Sequence, residues 1–181
     1  MAEVVIGLGS NIGDTQMNVH TAWEFLGQEL DVTLQGLSSP YATEPVGMDS
    51  DNWFTNGVGF ANTDLTPDRL LGVLQRIETT LGRTRSLHSD KWVDRIVDLD
   101  LLFYDDLIST VPELVVPHPG IQKRLFVLAP LAELLPDKKH PVLGLTASEM
   151  LARLLASAAD TAPQPAVKKI EWRPDVMAHH L

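Results

Sequence analysis

Asp98 and Asp100 stand one residue apart inside an otherwise apolar run, Ile96-Val97-Asp98-Leu99-Asp100-Leu101-Leu102-Phe103. On a strand alternate residues share a face. Both carboxylates therefore project the same way, roughly 7 Å apart, while Val97, Leu99, Leu101 and Phe103 turn into a core. Hard oxygen ligands with no His or Cys beside them suit Mg²⁺. The plain alternative is the solvated face of an amphipathic strand, but Asp is depleted in strands. Arg83, Arg85, Lys91 and Arg95 crowd the segment just ahead of the pair. Beside a metal site such a cluster has a natural target in the phosphates of a nucleotide; otherwise it is a charged surface loop. Trp92 in that loop is either a hydrophobic anchor or a flat lid over a ring. Val116-Pro117-His118-Pro119, followed by Lys123 and Arg124, adds another donor group, although a lone His is more often structural than catalytic.

These residues need a frame. Residues 4–8 read as a short buried strand ended by Gly9-Ser10-Asn11. A helix starts near Gly13-Asp14-Thr15 and runs to about residue 29, with apolar residues at helical spacing. Residues 32–39 form a second strand, 40–51 a loop and 53–62 a third strand. Thr66-Pro67 opens a second helix, Thr66 as N-cap and Pro67 in the first turn, and Gly82 stops it. Residues 83–91 are polar and expected to be mobile, 96–104 are a fourth strand, and 111–119 are loop or edge strand. Two further helices fit 126–135 and 146–156. This order predicts an α+β, ferredoxin-like antiparallel sheet with helices packed on one face and ligand loops on the other. The domain is expected to span 1–156, with 157–181 a linker and frayed tail carrying an edge strand at 167–172.

Gly7-Leu8-Gly9-Ser10-Asn11-Ile12-Gly13 follows a strand but is one residue too long for the dinucleotide fingerprint, and no G-x-x-x-x-G-K-[ST] occurs. A bound ATP would have to be held by other means. The chain has 181 residues, a formal charge of −10 and no Cys. The missing Cys excludes disulfides, Cys-ligated metals and a Cys nucleophile. The acidic balance argues against nucleic-acid binding. No apolar run approaches the ~20 residues of a membrane span, and no basic, apolar leader is present. A cytoplasmic protein is the expectation.

Taken in order, the motifs resemble the 6-hydroxymethyl-7,8-dihydropterin pyrophosphokinase family of folate synthesis. They are Gly9-Ser10-Asn11-Ile12-Gly13-Asp14, Tyr41-x-Thr43-x-Pro45-x-Gly47, Phe54-x-Asn56, Gln75-x-x-Glu78, Gly82-Arg83-x-Arg85, Trp92-x-x-Arg95-x-x-Asp98-x-Asp100, Val116-Pro117-His118-Pro119 and Arg124-x-Phe126. They cover residues 4–135. The resemblance implies transfer of the β,γ-pyrophosphate of ATP to the pterin hydroxymethyl group. It implies two Mg²⁺ ions on Asp98 and Asp100. Arg83, Arg95, His118, Arg85 and Arg124 would contact phosphates, Gln75 and Glu78 would line the ATP site, and Trp92 would lie in a closing loop. Pterin would sit between Phe54 and Phe126, its edge meeting Asn56 and the backbone around Thr43, Pro45 and Val46. The substrates would be small molecules, and the protein a monomer or dimer.

The sequence departs from the family pattern at Val93 and Asp94, where a small residue and Pro are usual, and at Glu113 and Val115, where a basic residue and Thr are frequent. Asp94 and Glu113 would place negative charge near a triphosphate. Asp94 is expected to turn outward or to pair with Arg83, Arg85 or Lys91. The departures favour one rival reading, a catalytically weakened paralogue that binds pterin or nucleotide. A second rival is a ferredoxin-like interaction domain with a solvated Asp-x-Asp face.

Overall fold

The computed structural model describes residues 1–45, 50–82, 94–158 and 165–178. Its frame is an antiparallel sheet ordered β5-β1-β4-β3-β8, with β2 also paired to β4. Here β1 is Ala2–Ser10, β2 Val32–Leu37, β3 Tyr41–Thr43, β4 Phe54–Thr63, β5 Asp98–Tyr104 and β8 Val167–Lys169. The ten-residue β4 takes β3 along its first half and β2 along its second. A separate hairpin joins β6, Ser109–Val111, to β7, Leu114–Val116.

Helices α1 (Thr15–Gly27) and α2 (Pro67–Thr80) cover one face. Asp14 caps α1 by accepting the Met17 N–H at 3.1 Å. Pro67 opens α2, and Gly82 takes φ +96° just beyond it, a conformation other residues avoid. Val19, Trp23 and Leu26 of α1 pack with Leu70, Leu74 and Ile77 of α2 against Val4, Ile6, Leu8, Leu99 and Leu101. A Cβ on Gly59 would lie 2.2 Å from the Trp23 ring, so the indole fills the space a β4 side chain would take.

On the second face the ligand loops share the sheet with α3 (Leu125–Leu134) and α4 (Ala147–Ala158), which bury Val5, Val58, Leu102 and Phe103. Simple alternation puts Phe103 with Leu99 and Leu101, but it belongs to this other core. The register of β1 against β5 shifts between Ile6↔Leu101 and Val5↔Phe103, leaving Leu102 as an extra residue. A bulge of this kind reverses the facing of everything beyond it.

Two other expectations change. Residues 41–43 form β3 rather than loop, because β4 and β8 supply partners on both sides. The tail is not frayed throughout: Val176 of α5 (Pro174–Met177) is buried, and Trp172 packs against the first core.

Glu133 of α3 ties the layers together. It accepts from Tyr41 Oη at 2.6 Å and Ser39 N at 2.9 Å, and Lys169 Nζ lies 3.2 Å away. Burial pushes its pKa up, but these donors outweigh that and bring it down to about 2. A depressed carboxylate stabilises the fold above its unfolded value near 4.5, and that contribution fades as pH falls towards 2. Glu133→Gln is expected to cost about 1–2 kcal/mol at pH 7, discounted for partial exposure. Denaturant titrations should show the gap between variant and wild type closing as pH falls from about 4.5 to about 2. A gap independent of pH would refute the role of the charge.

Candidate active site

The floor of the site is the glycine-rich end of β1. Gly7 stands opposite Asp100 and Gly9 opposite Asp98, while on the other side Gly9 faces Asn56 of β4. A Cβ on Gly9 would come within 2.7 Å of Asn56 Oδ1. Bare backbone here leaves Asp98, Asp100 and Asn56 standing around a depression instead of a filled core. The cleft is an open depression of about 740 Å³, its mouth included. Thr43, Phe54, Asn56, Arg95, Asp98, Asp100, His118, Arg124 and Phe126 all line it. Asn56 is buried and donates from Nδ2 to Thr43 Oγ1 at 2.5 Å.

Arg95 donates from Nη1 to Asp98 Oδ2 and is itself fixed by the turn after β1. Its N–H donates to Asn11 Oδ1 at 2.8 Å, and its carbonyl accepts the Asn11 N–H at 3.1 Å. Asp94 does not stand free before the phosphates. Asn11 Nδ2 donates to its Oδ1 at 2.6 Å and Asn52 Nδ2 to its Oδ2 at 2.8 Å. A Ser50 hydrogen bond, the largest cause, and these two amides hold its pKa below the usual value. The expected cationic partners Arg83, Arg85 and Lys91 lie outside the described residues. Glu113 is exposed between β6 and β7 and does not line the cleft.

His118 is placed by the β5 bulge, since its N–H donates to the Leu102 carbonyl at 3.0 Å. Its Nδ1 accepts the Gly120 N–H at 3.1 Å, so the neutral ring carries its proton on Nε2. Burial, and then the Arg124 charge, push its pKa below the ordinary value. The ring is thus a neutral N–H donor at pH 7. Arg124 precedes α3, and its guanidinium carbon lies 5.9 Å from the Phe126 ring centroid. The cleft therefore brings two carboxylates and two guanidiniums together with aromatic rings and the Asn56 amide, Arg124 lying against the Phe126 ring.

Gln75 and Glu78, both on α2, do not line this cleft. Gln75 is exposed, whereas Glu78 is buried and accepts the Leu99 N–H at 2.8 Å. It thereby satisfies edge strand β5 between the two Asp residues. Pro45 lies beside the lining residue Glu44 without lining the cleft itself. Val46, Arg83, Arg85 and Trp92, with all of the loop 83–91 expected to be mobile, lie outside the described residues. Sequence reasoning missed Asn11 as the anchor of residues 94–95 and Glu44 as a lining residue. Asn11 was visible only as part of a turn, and Glu44 only as an unspecified motif position.

No group of three or more His, Asp or Glu is assembled for a metal among the described residues. Two carboxylates nonetheless match what Mg²⁺ usually takes from a protein when substrate phosphates and water complete its shell. Asp98 and Asp100 on one face, with Arg95, His118 and Arg124 around them, fit that partial donor set.

Residues 5–136 match the family model for 7,8-dihydro-6-hydroxymethylpterin-pyrophosphokinase (HPPK). The chain belongs to this family. It is 43% identical over 129 residues to the 2-amino-4-hydroxy-6-hydroxymethyldihydropteridine pyrophosphokinase of Bacillus subtilis, covering 71% of this chain and 75% of that one. It is 38% identical over 154 residues to the pyrophosphokinase of Methylorubrum extorquens, covering 85% and 94%. Among solved structures, a Plasmodium falciparum HPPK-DHPS aligns with a TM-score of 0.71 at 14% identity, over 88% of this chain and 45% of that one. That likeness shows the fold, and the chain spans less than half the length of the Plasmodium protein. Membership makes this chain an enzyme that transfers pyrophosphate from ATP to 6-hydroxymethyl-7,8-dihydropterin in folate synthesis. No helix among the described residues is long and apolar enough to cross a membrane.

Proposed function

We propose that the cleft around Asp98 and Asp100 performs this transfer as a Mg²⁺-dependent diphosphotransferase, with the triphosphate beside the two carboxylates and the pterin beside Phe54, Asn56 and Phe126. One observation carries the reading: the paired carboxylates open into the same cleft as Asn56, Phe54 and Phe126. Asp98 and Asp100 would hold Mg²⁺, two ions by family resemblance. Bound metal would neutralise charge on the triphosphate and hold its oxygens for in-line attack. Arg95, Arg124 and the His118 Nε2–H donate to phosphate oxygens, and Arg83 and Arg85 are assigned the same task. Asn56 and the 43–46 backbone receive the pterin edge, the rings of Phe54 and Phe126 its faces. Gln75 is assigned to the nucleotide end, and Trp92 to a covering loop. Glu78 acts by holding β5. The pterin hydroxyl oxygen bonds to the β-phosphorus as the bond from that phosphorus to the α,β-bridging oxygen breaks. AMP leaves and the hydroxyl proton passes to solvent. Excluding water favours the hydroxyl over hydrolysis. The protein is assigned to the cytoplasm as a monomer or dimer with domain 1–156.

The test is AMP release from ATP with and without 6-hydroxymethyl-7,8-dihydropterin. Release should require the pterin, stop with EDTA and return with excess Mg²⁺. Full activity in EDTA would remove the metal from the reading. Pterin binding without AMP release would favour the weakened paralogue.

A further inference from the structure

Residues 165–178 lie beyond the family-matched segment, yet they fold back onto the wall of the cleft. Strand β8 pairs with β3, Val167 opposite Thr43 and Lys169 opposite Tyr41. Just before this ladder the contact becomes reciprocal. The Glu44 N–H donates to the Ala166 carbonyl at 3.1 Å, and the Ala166 N–H donates to Glu44 Oε2 at 3.0 Å. Further along, Trp172 Nε1 donates to the Ser38 carbonyl at 3.1 Å. Arg173 Nη2 bonds Asp14 Oδ2 at 2.5 Å, at the cap of α1. The segment is thus fastened at both ends, and between them it forms the outer neighbour of β3. Thr43 and Glu44 both line the cleft, and Thr43 holds the Asn56 amide. A three-residue strand has few bonds of its own, so its position depends on both neighbours.

We propose that this C-terminal strap is a positioning element of the pterin wall, setting Thr43 and Glu44 through the Glu44–Ala166 pair. The proposal rests on pterin lying along Thr43, Asn56 and Phe126. The strap touches none of Arg95, Asp98, Asp100 or His118 in the bonds described above, so its effect falls on one substrate.

The test uses the full chain. Ala166→Pro removes the N–H that reaches Glu44. It should raise KM for the pterin at least fivefold, with KM for ATP and kcat changed less than twofold. In the Glu44→Ala background the same substitution should add almost nothing, because the contact is already gone. Glu44→Gln, which keeps an acceptor oxygen, should retain most of the affinity lost in Glu44→Ala. An independent measurement on wild type avoids any folding defect. In hydrogen exchange, pterin binding should protect the amides of Ala166 and Val167 together with Glu44. Additive effects of Ala166→Pro and Glu44→Ala, equal rises in both KM values, or protection at Glu44 without residues 166–167 would each overturn the proposal. Phe126→Ala separates the two readings. If it weakens pterin binding while the strap variants do not, the wall is placed correctly and only the strap inference fails. If it leaves pterin binding intact, the placement of the wall itself fails.

Discussion

Asp98→Asn and Asp100→Asn are each expected to lower kcat by roughly 10²–10³-fold, about 2.7–4 kcal/mol, the range for losing one preorganised electrostatic contact to a transition state. The amide keeps the shape and removes the charge that would hold Mg²⁺. Both side chains project from the cleft face of β5, away from Leu99 and Leu101, so the fold should survive. Asp98 is bonded to Arg95, with side-chain exposures of 21% and 12%, so Asp98→Asn also gives up part of an ion pair and should lower Tm. Steady-state AMP release, Mg²⁺ titration and thermal melts test this together. Near-normal turnover in both variants, with unchanged Mg²⁺ dependence, would show that the carboxylates are only a solvated strand face.

Phe126→Ala should weaken pterin binding by about 1–3 kcal/mol, roughly fivefold to 150-fold, by analogy with a base losing an aromatic stacking partner. Phe126 lies in the first turn of α3, where Ala is an excellent helix residue, so the backbone should hold. Arg124 sits over the same ring, and losing that contact should cost ATP affinity less than threefold. Calorimetry with each ligand separately gives the comparison. Equal losses for pterin and ATP would mean that the ring shapes the whole cleft instead of forming one platform.

Several features were legible in the chain alone because local physics determines them. The alternation around Asp98 and Asp100, the Thr66-Pro67 start of α2, the stop at Gly82 and the apolar stripes of α1 and α2 follow from strand and helix periods and from backbone preferences of single residues. The α+β class followed from their order, and the family resemblance from motifs in sequence. What tertiary structure decided are matters of partners and register. Phe103 changed cores because one extra residue, Leu102, entered β5 opposite β1, and a bulge has no signature in residue type. The Tyr41–Thr43 strand is too short for periodicity and exists because β4 and β8 bracket it. Asp94 reads in sequence as a misplaced charge, but its oxygens meet Asn11 and Asn52, 83 and 42 residues away in the chain. Glu78 also meets the open edge of β5, where it accepts the Leu99 N–H from 21 residues away, a contact that no local pattern names. Residue types thus determined which chemistry was available. Long-range hydrogen bonds, whose partners no local pattern names, decided which groups face the cleft and which hold it in shape.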